Sequence, residues 1–246
     1  MKKNRYHIII GGTSEIGVSI INKFMKKGRN VLFSYFNNDA LAKNILSTYK
    51  DYDSSIKLFK LDVRNQQDIN TFSNYISKKE IQIESLVYNS GIIEDSMFYS
   101  MSEETFLSVM DTNLNGCFRV CKALINNISI NKGKILIMSS ISALIPKMGQ
   151  INYSCSKIAL ISLTRNLAQE YGKLNVRVNC IAPGLIKGKM INSIPIDELN
   201  KMKKNIPLKR FGSTDDVANG SYFLTSNMSD YITGQTLIID GGLVMQ

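Results

Sequence analysis

Short apolar runs alternate with longer amphipathic segments along most of this 246-residue chain, and this alternation limits the possible folds more than any other feature. β-branched runs separated by helical patterns are typical of a parallel sheet covered by helices, because parallel neighbours need a long crossover connection. We therefore predict an α/β fold, with a doubly wound parallel sheet of about seven strands and helices on both faces. The predicted strands cover residues 6–10, 30–35, 56–61, 85–89, 134–139, 177–181 and 236–239. The predicted helices lie near residues 17–28, 38–50, 66–79, 102–130 and 154–173.

The chain shows no repeat, low-complexity tract or linker, so residues 1–246 are predicted to form a single domain. Residues 185–212 interrupt the alternation with a segment rich in Met and Lys, bounded by glycines and prolines. Two interpretations of this segment stay open at this point: a mobile lid over a site, or an ordinary surface excursion.

The composition excludes several classes of protein. No apolar run reaches the length of about 18 residues that a membrane span needs, and no cleavage pattern follows the basic N-terminus, so we expect a cytoplasmic protein without membrane insertion. The four cysteines lack metal-site spacing and predict buried thiols, with no metal bound. The one histidine, His7, lies inside the first predicted strand, which makes Ser-His-Asp, Cys-His and multi-histidine metal chemistry poor candidates.

The formal net charge of +10 comes from lysines scattered as short pairs. Nucleic acid is not an expected partner, because no basic stripe interleaved with aromatic residues and no nucleic-acid-binding motif accompanies the charge. The charge indicates either a solvated basic surface or attraction of phosphorylated or acidic ligands.

A glycine loop of sequence GGTSEIG, residues 11–17, joins the first predicted strand to the first predicted helix. Glycines let backbone N–H groups approach a pyrophosphate, and the helix N-terminus adds a favourable partial charge. The loop therefore predicts a nucleotide site at the start of a doubly wound sheet.

The second predicted strand ends at Ser34-Tyr35-Phe36 without an acidic residue. Sites for NAD usually carry an acid there, which bonds the ribose hydroxyls, and Asp39 stands too far beyond the strand to be assigned this role. NADP(H) is therefore favoured over NAD(H), although no Arg stands at this turn to hold the 2′-phosphate.

Tyr153 and Lys157 stand four residues apart, which places them on one face of a predicted helix. Such a pair is common on helix surfaces, but its neighbours indicate a site. Ser140 precedes Tyr153 by 13 residues, at the end of the fifth predicted strand, and Asn113 lies within a predicted helix.

With Asn89-Ser90-Gly91 after the fourth predicted strand and Pro183-Gly184 after the sixth, the chain resembles short-chain dehydrogenases/reductases over essentially its whole length. Within that superfamily it is most similar to 3-oxoacyl-acyl-carrier-protein reductases. The resemblance implies a Rossmann-type fold, an NADP-dependent ketoreductase, an acyl carrier protein as partner, a homotetramer, and a lid formed by residues 185–212.

By this resemblance, Tyr153 is the general acid that protonates the substrate carbonyl oxygen as hydride arrives from the nicotinamide. Ser140 orients that oxygen, Lys157 holds the nicotinamide ribose and stabilises the phenolate, and Asn113 anchors a water in the proton relay. Tyrosine titrates at about 10, and an ammonium about 4–5 Å away at an effective dielectric of about 20 is worth roughly 3–4 kcal/mol. Lys157 is therefore expected to lower the pKa of Tyr153 by about two to three pH units.

The resemblance also implies contacts with cofactor and substrate, with Asp62 and Val63 facing the adenine and Ile186 the nicotinamide carboxamide. The cofactor contacts are Gly11, Thr13, Ser14, Ile16, Gly17, Ser34, Tyr35, Asp62, Val63, Asn89, Ser90, Gly91, Tyr153, Lys157, Pro183, Gly184 and Ile186. The substrate contacts are Gln150, Asn152 and Met190.

The sequence departs from the family pattern around the cofactor. Glu15 replaces a glycine, Ile10 replaces a Thr that braces the loop, Ser90 replaces an Ala, and Gly188 replaces the Thr that bonds the carboxamide. We expect Glu15 to face solvent or a lysine, and these changes to affect cofactor affinity more than catalysis.

Three functions are weighed on this basis. The leading hypothesis is reduction of a 3-oxoacyl thioester on a carrier, in fatty-acid synthesis or in polyketide or polyene assembly. The two basic carrier-docking positions of the fatty-acid reductases match Asn131 and Leu174, although Lys132, Lys134 and Lys173 are adjacent. A reductase or dehydrogenase of a free apolar alcohol or ketone is the second hypothesis. The third, a catalytically silent nucleotide-binding subunit, is disfavoured by the intact catalytic set.

Overall fold

One parallel sheet forms the centre of the protein, whose computed structural model describes residues 4–188 and 196–245. In this part of the chain the strands follow the spatial order β3-β2-β1-β4-β5-β6-β7. They are β1 (Arg5–Ile10), β2 (Val31–Tyr35), β3 (Ile56–Lys60), β4 (Gln82–Tyr88), β5 (Lys134–Met138), β6 (Arg177–Pro183) and β7 (Thr236–Ile239). The predicted Rossmann-type doubly wound sheet is confirmed.

Helices cover both faces of the sheet. Those of the described chain are α1 (Glu15–Lys26), α2 (Asp39–Thr48), α3 (Gln66–Lys78), α4 (Glu103–Met110), α5 (Gly116–Ile130), α6 (Ile151–Tyr171), α7 (Ile196–Asn205) and α8 (Thr214–Thr225). Helices α3, α5 and α6 contribute to the core on one face, and α1, α2 and α8 to the core on the other. None of the helices described in residues 4–188 and 196–245 is long and apolar enough to cross a bilayer.

The strand order reverses at β1, which lies between β2 and β4. The chain leaves neighbouring strands towards opposite faces at this point, so a crevice opens at the carboxyl ends of β1 and β4. The glycine loop follows β1, and Asn89 follows β4, so both lie at this crevice.

The predicted helix at 102–130 is divided into α4, a π-helical turn at Asp111–Asn115, and α5. The buried Tyr88 hydroxyl donates a hydrogen bond to the Thr112 carbonyl over 2.8 Å. The Gly116 N–H bonds the Asp111 carbonyl instead, which widens the turn. A Cβ on Gly116 would lie 2.7 Å from the Tyr88 hydroxyl, so glycine is needed for this close approach.

Helix α8 is missing from the sequence prediction, because its central Asn219-Gly220-Ser221 are weak helix formers. Ser213 and Asp216 form a capping box at its start, a signal that was present in the sequence. A Cβ on Gly220 would lie 2.5 Å from Ile239 of β7, so this glycine allows the helix to pack closely on the sheet.

The two ends of the segment 185–212 lie side by side, because Ile186 forms a parallel β-bridge with Gly212. The Lys187 N–H bonds the Gly212 carbonyl over 2.8 Å, and the Gly212 N–H bonds the Leu185 carbonyl over 2.9 Å. Residues 189–195, including the predicted substrate contact Met190, lie outside the described residues.

Candidate active site

A cavity of about 700 Å³ opens at the carboxyl edge of the sheet. The glycine loop forms one wall, and the residues that follow β5 and β6 form the others. Ser140, Tyr153 and Lys157 all line it. The structure therefore brings the predicted catalytic triad and the predicted nucleotide loop into one site of the size usual for small ligands.

Gly11 and Gly17 of the loop lie where a side chain would collide with the backbone. Gly11 has a φ of +78°, and a Cβ there would lie 2.9 Å from the Ser90 nitrogen. A Cβ on Gly17 would collide with the Gly11 carbonyl oxygen. Glycine is thus required for the loop to turn tightly beneath the start of α1.

Polar side chains hold this loop in place. The Ser14 hydroxyl caps α1 by accepting the Gly17 N–H over 3.0 Å, and it also accepts the Asn89 amide over 2.7 Å. The Asn89 amide donates to the Gly11 carbonyl over 3.1 Å, and the Ser34 hydroxyl accepts the Gly11 N–H over 3.2 Å. Ser14, Ser34 and Asn89, all predicted as cofactor contacts, therefore brace the loop.

These features fit a dinucleotide. Ser14, Glu15 and Ile16 line the cavity where α1 begins, so the N-terminus of this helix faces the open space. A helix N-terminus carries unpaired N–H groups and a partial positive charge, which stabilise a pyrophosphate. The loop and the N-terminus of α1 would hold the phosphates, and the wall with Tyr153 and Lys157 would hold the reactive end.

The end of β5 and helix α6 position the predicted catalytic residues. The Ser139 hydroxyl donates to the Lys157 carbonyl over 2.8 Å, and the Lys157 ammonium donates to the Met138 carbonyl over 2.9 Å. The ammonium lies 5.4 Å from the centre of the Tyr153 ring. Ser140 directly follows Ser139, whose hydrogen bond joins the end of β5 to helix α6. The strand and the helix together therefore position Ser140 beside Tyr153.

The pKa values differ from the sequence-based expectation. Burial lowers the pKa of Lys157 to about 8. Burial raises the pKa of Tyr153 above its ordinary value, a hydrogen bond with Ser140 opposes this rise, and the charge of Asp95 adds to it. The expected lowering of the Tyr153 pKa by Lys157 is not met, because the ammonium bonds the Met138 carbonyl and the phenol is desolvated.

Asn113 is fully buried in the π-helical turn, and the atoms of its side-chain amide are bonded within the protein. Its Oδ1 accepts the Ile92 N–H over 2.8 Å. Its Nδ2 donates to the Ile92 carbonyl over 3.1 Å and to the Ser156 hydroxyl over 3.0 Å. This side chain therefore ties the loop after β4 to helix α6. The water-anchoring role stays a prediction.

Comparison with known proteins gives a consistent result. The family model described as Enoyl-(Acyl carrier protein) reductase matches residues 11–244. The chain is 37% identical over 242 residues to the 3-oxoacyl-[acyl-carrier-protein] reductase of Chlamydia muridarum, covering 98% of this chain and 97% of that protein. It is 31% identical over 243 residues to the protein of the same name from Staphylococcus epidermidis, covering 98% and 100%.

The chain belongs to the short-chain dehydrogenase/reductase family. It is an oxidoreductase of that family, and the side chains predicted to be catalytic lie on a Rossmann-type fold. Several side-chain contacts around these residues in this short-chain dehydrogenase/reductase were not predicted from the sequence.

At the expected adenosine end of the site, the Asp62 carboxylate accepts hydrogen bonds from the Arg64 side chain over 3.0 and 2.7 Å. Arg64 holds the pKa of Asp62 below its ordinary value. The Arg64 guanidinium lies 5.3 Å from the centre of the Phe36 ring, directly after β2. The Arg64 guanidinium thus places a positive charge at the end of β2, although no Arg stands in the sequence at this turn.

The other predicted residues at β2 are mostly enclosed. Tyr35 is buried, and its hydroxyl donates to the Asp39 carboxylate over 3.1 Å. Asp39 also pairs with Lys60 over 3.3 Å. Asp39 is therefore close to the end of β2 in space, despite its distance along the chain.

The two predicted substrate residues that the structure describes are both buried and hydrogen-bonded. The Asn152 amide donates to the Glu94 carbonyl over 2.9 Å. The Gln150 amide donates to the Asp95 carboxylate over 2.9 Å. Of these two residues, Gln150 lines the cavity. Sequence reasoning missed Asp95, which follows Asn89-Ser90-Gly91 in the loop after β4.

Two departures from the family pattern meet in space. Glu15 is exposed, as expected, and its carboxylate lies against Gly188 so closely that a Cβ on Gly188 would collide with it. The carboxylate of Glu15 therefore fits into the space that the absence of a side chain at Gly188 leaves. Glu15 occupies space that a threonine at position 188 would need.

Proposed function

We propose that the protein reduces a 3-oxoacyl thioester on an acyl carrier protein to the 3-hydroxyacyl form with NADPH, in fatty-acid synthesis or in polyketide- or polyene-type assembly. The placement of Ser140, Tyr153 and Lys157 on one cavity wall, facing the glycine loop, carries this proposal. The names of the relatives support the substrate class, since they are 3-oxoacyl-[acyl-carrier-protein] reductases.

In the proposed reaction the Tyr153 hydroxyl donates its proton to the carbonyl oxygen of the substrate. A tyrosine hydroxyl is protonated at neutral pH, as an acid must be, and burial raises the pKa of this one further. The Ser140 hydroxyl orients the same oxygen. The buried Lys157 ammonium stabilises the phenolate that remains. The nicotinamide cofactor supplies the hydride when bound.

The remaining cavity wall suits an acyl chain. Its apolar side chains include Ile93, Ile141, Ile145, Leu185, Met202 and Leu243. Apolar walls stabilise methylene groups by removing them from water. Leu185 and Met202 belong to the 185–212 segment, so this segment would cover the acyl chain as a lid.

The proposal is tested by comparing one 3-oxoacyl group on two supports, an acyl carrier protein and a small thiol, with NADPH as the reductant. We expect consumption of NADPH with both and a higher kcat/KM on the carrier, because the basic surface attracts an acidic protein. Reduction of free apolar ketones but of neither thioester would support the alternative, a reductase of free alcohols or ketones. No consumption with any substrate would support a catalytically silent subunit.

The preference for NADPH rests on the contact between Arg64 and Phe36 at the end of β2. An Arg at this place can accommodate the 2′-phosphate that distinguishes NADP from NAD. We expect Arg64→Leu to raise the Kd of NADPH about tenfold and to change the Kd of NADH less than about twofold. Nicotinamide fluorescence measures both constants.

The exposed Arg165 on α6 provides the control, since Arg165→Leu removes the same charge away from β2. Equal weakening of NADPH and NADH by Arg64→Leu would show that Arg64 supports the fold of the loop and does not select the phosphate.

The contact between Glu15 and Gly188 predicts coupled effects on cofactor affinity. Glu15→Gly should lower the Kd of NADPH up to about fivefold, because it removes a carboxylate beside the pyrophosphate site. Gly188→Thr should act differently in the two backgrounds, since the new side chain must displace the carboxylate only when residue 15 is Glu. Additive changes in the binding free energy across the four variants would contradict this interpretation.

We also propose a homotetramer, with an acyl carrier protein as the transient partner. Apolar side chains are half-exposed on three helices: Leu107 on α4, Phe118 on α5 and Ile158 on α6. Burial of such side chains between subunits stabilises an assembly.

A further inference from the structure

The loop after β4 is fastened to the start of helix α6. The Ser96 N–H donates to the Gly149 carbonyl over 2.9 Å, and the Asn152 amide donates to the Glu94 carbonyl over 2.9 Å. Asp95 lies between these two ties and directs its carboxylate to Gln150. The backbone on both sides of Asp95 is thus held against the helix that carries Tyr153.

A chain of hydrogen bonds runs from Asp95 to the catalytic serine. The Gln150 Nε2 donates to both oxygens of Asp95, over 3.2 and 2.9 Å. The Ser142 hydroxyl donates to the Gln150 Oε1 over 3.0 Å, and the Ser142 N–H donates to the Ser140 Oγ over 3.1 Å. Four residues from three segments of the chain are linked in this way.

The charge of Asp95 determines which groups donate and which accept along this series of hydrogen bonds. A carboxylate only accepts hydrogen bonds, so it fixes the Gln150 amide with its nitrogen towards Asp95 and its oxygen towards Ser142. Gln150 is 4% exposed and cannot easily turn to water. Ser142 is held in turn, and its N–H occupies an acceptor site of the Ser140 oxygen. The Ser140 proton is then left to point into the cavity, towards Tyr153 and the substrate oxygen.

We propose that Asp95 is a positioning residue of the active site, which orients Ser140 through Gln150 and Ser142. The inference rests on the proposed function, because it assigns Ser140 and Tyr153 their roles in the reaction. The orienting role depends on the hydrogen bonds of Asp95. Its charge gives it a second, electrostatic role, which adds to the raised pKa of Tyr153.

Other charged side chains line the same cavity, namely Lys157 on the same helix, Lys147 in the loop before it, Lys187 after β6, and Glu15 at the start of α1. A cation near a phenol favours the phenolate, and a carboxylate near it opposes the phenolate. Asp95 is the carboxylate whose charge contributes to the raised pKa of Tyr153. Its replacement by a neutral residue is therefore expected to lower that pKa.

Two variants separate the two roles. Asp95→Asn removes the charge and keeps an oxygen that can accept from Gln150, whereas Asp95→Ala removes both. The adjacent Glu94→Gln serves as the control, because Glu94 is exposed and contacts Asn152 through its backbone carbonyl. Circular dichroism and cofactor affinity are measured on every variant to confirm a folded nucleotide site.

The electrostatic role is tested without turnover. Tyrosinate absorbance is titrated in each variant and in the same variant carrying Tyr153→Phe, and the difference reports Tyr153 alone. We expect this titration to move down by about half a pH unit in Asp95→Asn and Asp95→Ala, and to stay unchanged in Glu94→Gln. An unmoved titration in Asp95→Asn, or an equal movement in Glu94→Gln, would overturn this role.

The orienting role is tested by turnover. We expect Asp95→Ala to lower kcat about tenfold relative to Asp95→Asn, because it releases Gln150 and Ser142, with KM for the cofactor little changed. Equal kcat values in the two variants would overturn this role. If the wild-type protein reduces no ketone, the proposed function fails, while the tyrosinate titration still decides whether Asp95 acts on Tyr153.

Discussion

Replacement of Tyr153 by Phe is expected to lower kcat about a thousandfold while the Kd of the nicotinamide cofactor stays within about twofold. The substitution removes only the hydroxyl, and the ring continues to pack on the same wall of the cavity. Loss of the proton leaves the developing oxyanion with only the Ser140 hydroxyl. Steady-state rates and fluorescence titration of the cofactor measure the two effects.

Tyr171→Phe is the matched control, because Tyr171 ends the same helix, about 27 Å along its axis from Tyr153, and packs against the core. It should retain full turnover. Substantial turnover in Tyr153→Phe would contradict the assignment of Tyr153 as the acid, whatever the behaviour of the control.

Replacement of Lys157 by Met should lower kcat about a hundredfold and also weaken cofactor binding. Methionine keeps most of the aliphatic stem in the buried site and removes the ammonium that bonds the Met138 carbonyl. Tyr153→Phe is expected to affect the chemical step alone, so the two variants separate proton transfer from cofactor positioning. Lys78→Met, at the exposed end of α3, is the control for charge.

The pKa of Lys157 adds a pH dependence to this prediction. Because burial lowers it to about 8, the ammonium is present below about pH 8 and lost above it. Wild-type reduction should therefore decline as the pH rises through about 8, and Lys157→Met should lack this decline. A wild-type rate that rises through this range would contradict a requirement for the charged form.

The parts of the site that could be predicted from the sequence depend on local pattern. The glycine loop follows directly from a strand, and Tyr153 and Lys157 share a helix face through their four-residue spacing. Ser140 joins them because β5 ends two residues before it. In each case the backbone alone brings the residues together.

The contacts that could not be predicted join side chains from distant segments. Arg64 reaches Phe36 across two neighbouring strand ends, Asp95 reaches Gln150 over 55 positions, and Glu15 meets Gly188 across the cleft. Hydrophobic periodicity in the sequence does not predict such contacts, because they depend on the paths of the loops and on side-chain rotamers. The fully bonded amide of Asn113 is a similar case, because a π-helical turn stabilised by Tyr88 holds it.

The proposed reaction is the reduction of a 3-oxoacyl thioester in this cavity, with Tyr153 as the acid. The most direct measurement mixes the purified wild-type protein with NADPH and a 3-oxoacyl thioester on acyl carrier protein, and counts both the NADPH consumed and the 3-hydroxyacyl product formed. We expect one product for each NADPH, with the reaction nearly abolished by Tyr153→Phe. NADPH that binds but is not consumed, or product formation unaffected by Tyr153→Phe, would contradict it.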